Sequence, residues 1–311
     1  MSEQRLPSVA AVICTRGDRA ELLREAVDSI VHQDYAGPIT IMVVFDRAVP
    51  DESLTELGDG PTREVRVMLS DRPAGSSACR NAGILATESD LVGFCDDDDS
   101  WLPGKLTAQV AELVRRPEAG SVACGAVTIH DGWTSECVWD KPEITFSDLL
   151  RSRVKEASPS SFVVRRELLL GSVGMFSEEI PGGFAEDYEI LLRMAGHSPV
   201  VYVRQVGVQV RVQGRTSHFT GNWAVIAEAL EWLLAEYPAF SGVRRGYARL
   251  AGQIALSKGM LGERRESLRW ASRAFRASPL EIRSYVVAAM ALHAVSRSWV
   301  LARLTAAGAT S

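Results

Sequence analysis

The chain has 311 residues, of which 46% are hydrophobic and 23% charged, and its formal net charge is −5. This length suits one large α/β domain with an appendage, or two domains, and the composition excludes a disordered or low-complexity protein. No apolar run approaches the ~18 residues that a transmembrane helix needs. The polar start of the chain lacks the features of a signal peptide, and the five scattered cysteines form no CxxC pair. We therefore expect a cytoplasmic protein with reduced thiols.

Apolar runs alternate with helix-period segments along the first part of the chain. We predict strands at 9–14, 39–45, 65–69 and 91–95, with a helix after Asp18 and another at 76–86. Asp18 and Glu21 have the spacing of a capping box at the start of the first helix. The strand–helix–strand alternation predicts a mainly parallel sheet with helices on its faces. Ligands of such sheets bind beyond the carboxyl ends of the strands.

The second part of the chain changes character near residue 221. We predict a helix at 102–115, strands at 121–129 and 158–165, a helix at 188–195, and a strand or hairpin at 200–212. Strand signals then end, and Ala, Leu and Arg dominate. The segment 246–279 predicts a helix-turn-helix that resembles one tetratricopeptide unit of about 34 residues. The expected organisation is therefore an α/β domain at 1–221 and an α-helical region at 222–311.

Charge is distributed unevenly along the chain. Residues 240–311 carry 12 Lys+Arg and 3 Asp+Glu, whereas the rest of the chain has a balance of −14. A basic helical segment could lie on an acidic partner or on anionic lipid at the inner face of the membrane. It could equally be a solvated helical face. Both interpretations stay open, no nucleic-acid partner is expected, and the oligomeric state is open.

Four consecutive aspartates, Asp96 to Asp99, follow the apolar run at 91–95. A strand that opens into four carboxylates concentrates negative charge, which is tolerable if the side chains reach water or if a cation neutralises them. Oxygen-rich sites suit Mg²⁺ or Mn²⁺, and these metals commonly carry substrate phosphates. A solvated acidic turn is the alternative.

Five segments in order carry a resemblance to a known family. They are VAAVICTR at 9–16, IMVVFD at 41–46, RPAGSSACRNAGI at 72–84, FCDDDDSWLP at 94–103 and FAEDYEILLR at 184–193. Together they resemble the family 2 glycosyltransferases, and the resemblance covers roughly residues 7 to 218. It implies a GT-A (Rossmann-like) α/β fold with a mainly parallel mixed sheet flanked by helices, to which the C-terminal helical appendage is added.

The resemblance also implies an activity. Such an enzyme moves one sugar, with inversion, from a nucleoside-diphosphate sugar to a hydroxyl of a saccharide, lipid-linked or small-molecule acceptor, using Mg²⁺ or Mn²⁺. The Gln-x-x-Arg-Trp segment of processive synthases is absent, which favours single transfers. The family's Asp-Asp-Gly-Ser after the second strand is Phe45-Asp46-Arg47-Ala48 here, so only the second acid is present. A UDP-sugar is the favoured donor.

Site residues follow from the same resemblance. Asp187 is implied as the general base, with Glu186 beside it. Asp98 is implied as the most direct metal ligand and Asp96 as the other end of the Asp-x-Asp motif, while Asp99 is the least certain member. The remaining implied contacts are Thr15, Arg16 and Asp46 at the nucleoside, Arg80 at the diphosphate, Asp97 at the ribose, and His218 near the metal or diphosphate.

Each assignment has a structural alternative. Arg80 could form a salt bridge with the acidic run, because a guanidinium near it would lower its repulsion. Glu186 and Asp187 could be acids that favour a helix start, Asp46 a turn residue, and His218 a structural histidine.

Two other functions stay open for the whole chain. One is a binding or scaffold protein that acts through its basic helical tail. The other is a sugar-nucleotide pyrophosphorylase, which would need a glycine-rich loop longer than the segment 15–18.

Overall fold

The computed structural model describes residues 5–130, 132–212 and 221–306. The strands are β1 (Val9–Thr15), β2 (Ile39–Phe45), β3 (Arg63–Leu69), β4 (Leu91–Asp96), β5 (Ser100–Trp101), β6 (Ser121–His130), β7 (Trp133–Cys137), β8 (Glu143–Ile144), β9 (Val163–Arg165) and β10 (Val200–Val212). The helices are α1 (Ala20–Val31), α2 (Ser76–Leu85), α3 (Lys105–Arg115), α4 (Phe146–Arg151), α5 (Arg166–Leu170), α6 (Glu186–His197), α7 (Trp223–Glu236), α8 (Arg244–Leu261), α9 (Arg264–Ala277), α10 (Ile282–Ala291) and α11 (Arg297–Ala306). Short 3₁₀ turns lie at Glu52–Leu57, Gly60–Thr62, Pro159–Ser161, Pro181–Gly183 and Pro238–Gly242.

The strands form one mixed sheet in the order β3-β2-β1-β4-β9-β6-β10-β5, with β7 on β6 and β8 on β10. The longer strands pair in parallel: β3, β2, β1 and β4 with one another, and β6 with β10. The shorter strands pair antiparallel. The predicted α/β fold with a mainly parallel mixed sheet is therefore confirmed.

Strand β1 shows why helices pack on both faces of this sheet. Successive side chains of a strand point to opposite faces. Three odd-numbered residues of β1, Val9, Ala11 and Ile13, belong to a core cluster that also contains the buried side chains of α1. Val12 points the other way, where Gly83 of α2 lies so close that an added Cβ would be 2.5 Å from a Val12 methyl carbon. The sheet is thus apolar on both faces, as buried parallel strands are.

Three local predictions differ from the structure. The capping box is wrong, because Arg19 is the N-cap of α1 and has no side-chain cap bond, while Asp18 pairs with Arg16 and Arg19. Helix α3 begins at Lys105 rather than 102, since Gly104 has a φ of +83°. The segment 158–165 divides into a 3₁₀ turn and β9. For the segment 200–212, which was predicted as a strand or a hairpin, the strand is confirmed, and its pairing with β6 has register shifts.

The chain divides into two compact units. The first is Met1–Phe146, Val154–Glu178 and Glu186–Val212, and the second is Ser147–Arg153, Glu179–Ala185 and Gln213–Ser311. The domain boundary at 221/222 stays a prediction. Within the second unit, α8 and α9 confirm the predicted helix-turn-helix, and Gly262, with a φ of +87°, ends α8 in the left-handed conformation. In the parts of the chain that the structure describes, no helix combines the length and hydropathy needed to cross a bilayer.

Candidate active site

The candidate site is built at the carboxyl ends of β1 and β4. These strands pair in parallel, and Cys14 lies opposite Asp96, so Thr15 and the aspartate run emerge at the same edge. The Thr15 hydroxyl donates a 2.6 Å hydrogen bond to Asp97 Oδ2 and accepts one of 3.0 Å from the amide of Gly17. Gly17 has a φ of +73°, which a glycine adopts without steric cost. Two predicted site residues, Thr15 and Asp97, are therefore in direct contact.

The four aspartates have different environments. Asp97 and Asp99 are buried, whereas the side chains of Asp96 and Asp98 are 40% and 20% exposed. Asp99 accepts a 2.5 Å hydrogen bond from the Ser160 hydroxyl and a 3.3 Å bond from the amide of Arg211. Ser160 in turn accepts a 3.0 Å bond from the amide of Asp96. Asp99 thus ties the turn after β4 to β10, which is a structural role.

Arg19 is a site residue that the sequence analysis missed. Its guanidinium contacts Asp97 Oδ1 at 2.8 Å and also pairs with Asp98 Oδ2. Only the position of Arg19 at a helix start, after the first strand, could have suggested it. The aspartates that it contacts lie nearly eighty residues later, so no local pattern identifies the pair. Arg19 supplies positive charge to two carboxylates that burial would otherwise leave poorly solvated.

Arg80 links the aspartate run to α6. It is buried, and its Nη2 contacts Asp96 Oδ1 at 2.8 Å while its Nη1 contacts Glu186 Oε1 at 3.0 Å. Ser76 donates a further 3.0 Å bond to the same Glu186 oxygen, and the ring of Phe176 lies 5.1 Å from the guanidinium carbon. Burial alone would lower the pKa of Arg80, but Asp96 and Glu186 outweigh it and raise the pKa. The predicted salt bridge with the acidic run is confirmed.

Three other predicted site residues are described by the structure. Asp187 is the second residue of α6, next to Glu186. Asp46 follows β2 and accepts a 3.0 Å bond from the amide of Gly75, directly before Ser76. Arg16 pairs with Asp18 at 3.4 Å. His218 lies outside the described residues.

Burial and mutual repulsion act on the carboxylates. Burial raises the pKa of Asp97, and it raises the pKa of Asp98 to about 6, while Arg19 opposes both shifts. Burial likewise raises the pKa of Glu186, although Arg80 favours its ionised form. Four carboxyl groups thus contact two guanidinium groups, and a further cation would help to keep all four ionised. Negative charge exceeds positive charge at this edge of the sheet.

The same carboxylates bear on metal binding. Among the described residues there is no cluster of three or more His, Cys, Asp or Glu side chains arranged to hold a metal. Mg²⁺ commonly binds through only one or two carboxylates together with substrate phosphates and water. Asp96 and Asp98 are the partly exposed members of the run, so their oxygens fit that mode of binding.

Comparison with known proteins gives a family and a fold. The family model described as Glycosyl transferase family 2 matches residues 10–170, which include the strand ends that carry Thr15, Asp46 and the aspartate run. An N-acetylglucosaminyltransferase of Azorhizobium caulinodans is 30% identical over 118 residues, which is 37% of this chain and 30% of that protein. The match thus spans less than a third of that curated relative.

Two solved structures share the fold. The 1–349 fragment of TarS from S. aureus, in complex with UDP-GlcNAc, has a TM-score of 0.60 and 16% identity, and covers 97% of this chain and 92% of its own. The mannosyltransferase PcManGT from Pyrobaculum calidifontis, in complex with GDP-Man and Mn²⁺, has a TM-score of 0.56 and 17% identity, and covers 99% of this chain and 87% of its own. At these identities the likeness establishes the GT-A fold.

Proposed function

Because this chain belongs to glycosyl transferase family 2, we propose that it transfers a single sugar from a nucleoside-diphosphate sugar to a hydroxyl acceptor, with inversion at the anomeric carbon. The observation that carries the proposal is the double contact of Arg80. One guanidinium joins Asp96 of the aspartate run to Glu186, the neighbour of Asp187. The proposed donor-binding residue Asp96 and the residue next to the proposed base therefore share one guanidinium.

A UDP-sugar is the donor that we favour. Thr15 ends β1, Asp46 follows the adjacent parallel strand β2, and the Asp46 amide donates a 2.8 Å bond to the Thr15 carbonyl, so both residues lie at the same edge of the sheet. Asp46 has a second carboxylate oxygen besides the one bound to Gly75, and it can accept a hydrogen bond from a base N–H. The UDP-GlcNAc complex of TarS supports this donor class, whereas the GDP-Man complex of PcManGT keeps guanine as the competing base.

Divalent metal is the proposed partner of the diphosphate. Asp96 and Asp98 would hold Mg²⁺ or Mn²⁺, and the metal would stabilise the charge that develops on the leaving diphosphate. Arg19 and Arg80 pair with these two carboxylates, and we propose that each guanidinium would also contact the phosphate oxygens of a bound donor. The Mn²⁺ in the PcManGT complex supports the choice of cation.

Asp187 is the proposed base. A carboxylate at the start of α6 is stabilised by the helix N-terminus. A carboxylate oxygen of Asp187 would take the proton of the acceptor hydroxyl. At the same time the acceptor oxygen would form a bond to the anomeric carbon, and the bond between that carbon and the diphosphate would break. Glu186, held by Arg80 and Ser76, would fix the first turn of α6 and so position Asp187.

Binding and transfer are tested separately. A thermal-shift screen of UDP-, GDP- and dTDP-sugars, with and without Mn²⁺, should show stabilisation by one nucleotide class, because a bound donor favours the folded state. Donor hydrolysis in Mn²⁺ is then measured for Asp98→Ala and Asp187→Ala. We expect Asp98→Ala to lose metal-dependent donor binding, and Asp187→Ala to bind donor but to lose turnover.

The control is Asp28→Asn, since Asp28 is an exposed carboxylate on α1 that pairs with His32. It should match the parent protein in both measurements. Parent-like activity of Asp98→Ala and Asp187→Ala would refute the catalytic assignment. Failure of every nucleotide sugar to bind would favour the scaffold function instead.

A further inference from the structure

The second unit carries an exposed apolar surface at the turn between α9 and α10. We define the apolar tip by four side chains: Phe275, Leu280, Ile282 and Tyr285. Leu280 is 92% exposed and Ile282 is 71% exposed, although large aliphatic side chains are usually covered. We propose that the apolar tip inserts into the interfacial region of an anionic lipid bilayer.

Two of the four side chains are in direct contact. The rings of Phe275 and Tyr285 make an edge contact with centroids 5.8 Å apart. The Tyr285 hydroxyl donates a 2.7 Å bond to the carbonyl of Pro279, which holds its ring over the turn that presents Leu280. Ile282 lies one helical turn before Tyr285 and shares its face of α10. The two rings are therefore held against each other beside the turn that presents Leu280 and Ile282.

Positive charge surrounds the apolar tip. Arg276 is exposed in the last turn of α9, and it has no acidic partner among the residues that the structure describes. Arg244 reaches the same end of the helices, where its Nε donates a 3.1 Å bond to the carbonyl of Ala277. Exposed arginines next to inserted apolar groups are attracted to the negative surface of an anionic bilayer.

The one acid in the turn is neutralised. Glu281 has a side chain that is largely buried, and its Oε1 accepts bonds from Arg283 Nη1 at 2.9 Å and from the Arg283 amide at 3.2 Å. Glu281 therefore caps α10 and cancels the charge of Arg283, so it does not repel anionic headgroups. The charge that the tip presents is that of Arg276 and Arg244.

A bilayer fits this surface better than a second copy of the chain. Stable protein interfaces involve about 20–30 residues on each side and require a complementary surface. The apolar tip has only four side chains, which project from a turn, so it is much smaller than one side of such an interface. An interfacial lipid layer accommodates projecting apolar groups of any outline, and basic neighbours add to the binding.

The test uses the full chain and sedimentation with vesicles of phosphatidylcholine alone or mixed with phosphatidylserine. We expect the parent protein to bind the mixed vesicles, to bind less as salt is raised, and to leave the neutral vesicles largely free. The double variant Leu280→Ser with Ile282→Ser should lose about tenfold in affinity, and Arg276→Gln should lose about threefold to fivefold.

The matched control is Leu292→Ser, because Leu292 is 77% exposed at the other end of α10. It should bind vesicles like the parent protein. The proposal is wrong if the parent protein fails to bind phosphatidylserine vesicles, or if the double variant binds as well as the parent. It is also wrong if the double variant changes only the oligomeric state in analytical ultracentrifugation, since the tip would then be a contact between copies of the chain.

Discussion

The Thr15 hydroxyl donates a 2.6 Å hydrogen bond to the carboxylate of Asp97, and this bond joins the carboxyl ends of β1 and β4. Thr15→Val keeps the side-chain shape and removes the donor. A buried bond to a charged group contributes about 2 kcal/mol, so we expect a stability loss of that order in urea denaturation. Thr15→Ser retains the hydroxyl, so its loss of stability should be clearly smaller. Equal losses in both variants would show that the methyl group matters rather than the bond.

Arg80 cannot be replaced by lysine without loss. A lysine carries the charge, but its single ammonium lacks the planar fork that contacts Asp96 and Glu186 together. We expect Arg80→Lys to destabilise the protein by about 2 kcal/mol and Arg80→Gln by about 3–5 kcal/mol, since the latter leaves the largely buried carboxylate of Glu186 without its cation.

The control for this pair is Arg66→Lys. Arg66 and Glu64 form a 2.8 Å ion pair with both side chains about half exposed. Such surface pairs contribute less than about 1 kcal/mol. Urea denaturation measures all three variants. A loss in Arg66→Lys as large as that in Arg80→Lys would contradict the special role of the buried fork.

Gly83 permits the close packing of α2 on the sheet. A Cβ at this position would lie 2.5 Å from Val12 Cγ1 and 3.2 Å from a methyl carbon of Val44. Gly83→Ala should therefore cost about 1–3 kcal/mol through overpacking, and adding Val12→Ala should recover part of it. Gly242→Ala is the control, because no atom lies within 4 Å of its added Cβ. Thermal denaturation measures the stability of these variants. Equal stability of Gly83→Ala and Gly242→Ala would contradict the argument.

Because of Lys105, the stability of the folded protein should depend on pH in the alkaline range. It is buried, its Nζ has no hydrogen-bond partner among the described residues, and it lies 3.7 Å from the centroid of the Trp101 ring. Burial lowers the pKa of Lys105 from 10.5 to about 8. Between these values the folded protein binds fewer protons than the unfolded chain, so the free energy of unfolding rises with pH through this window.

Lys105→Met tests this dependence. The variant should gain about 1–3 kcal/mol at pH 7, with the lost contact to Trp101 reducing the gain. The advantage should shrink from pH 8 and disappear near 10.5, the ordinary pKa of lysine. Urea denaturation of both proteins across this range measures the difference. A difference that does not change with pH would contradict the buried-cation argument.

The sequence predicted the sheet better than it predicted the contacts of the site. Ile39–Phe45 was predicted to the residue, because a parallel strand buried on both faces is a continuous apolar run. The capping box failed because Asp18 pairs with arginines instead of the helix amides. Local spacing describes a helix start, but it does not say which charged neighbour competes for the capping side chain.

The sequence indicated the acidic members of the candidate site and two of their partners, Thr15 and Arg80, but it did not indicate Arg19 or Ser160. The aspartate run and the Glu186–Asp187 pair stand out because acids follow or precede apolar segments. Arg19 and Ser160 do not, since each is an ordinary residue whose importance comes from a contact made across the fold. Their partners are defined only once the strands are side by side.

The bonds of Asp99 have a consequence for synthesis of the chain. Asp99 leaves the ribosome well before Ser160 and long before Arg211, whose amide is its second partner, 112 residues further on. Until then its carboxyl group stays hydrated, because a long loop must close before these bonds can form. A polypeptide that ends at residue 170, where the family match ends, would contain every aspartate of the run and also Ser160, but it would lack β10. Asp99 in such a truncated product would therefore have only one of its two bonds, and the turn after β4 would not be tied to β10.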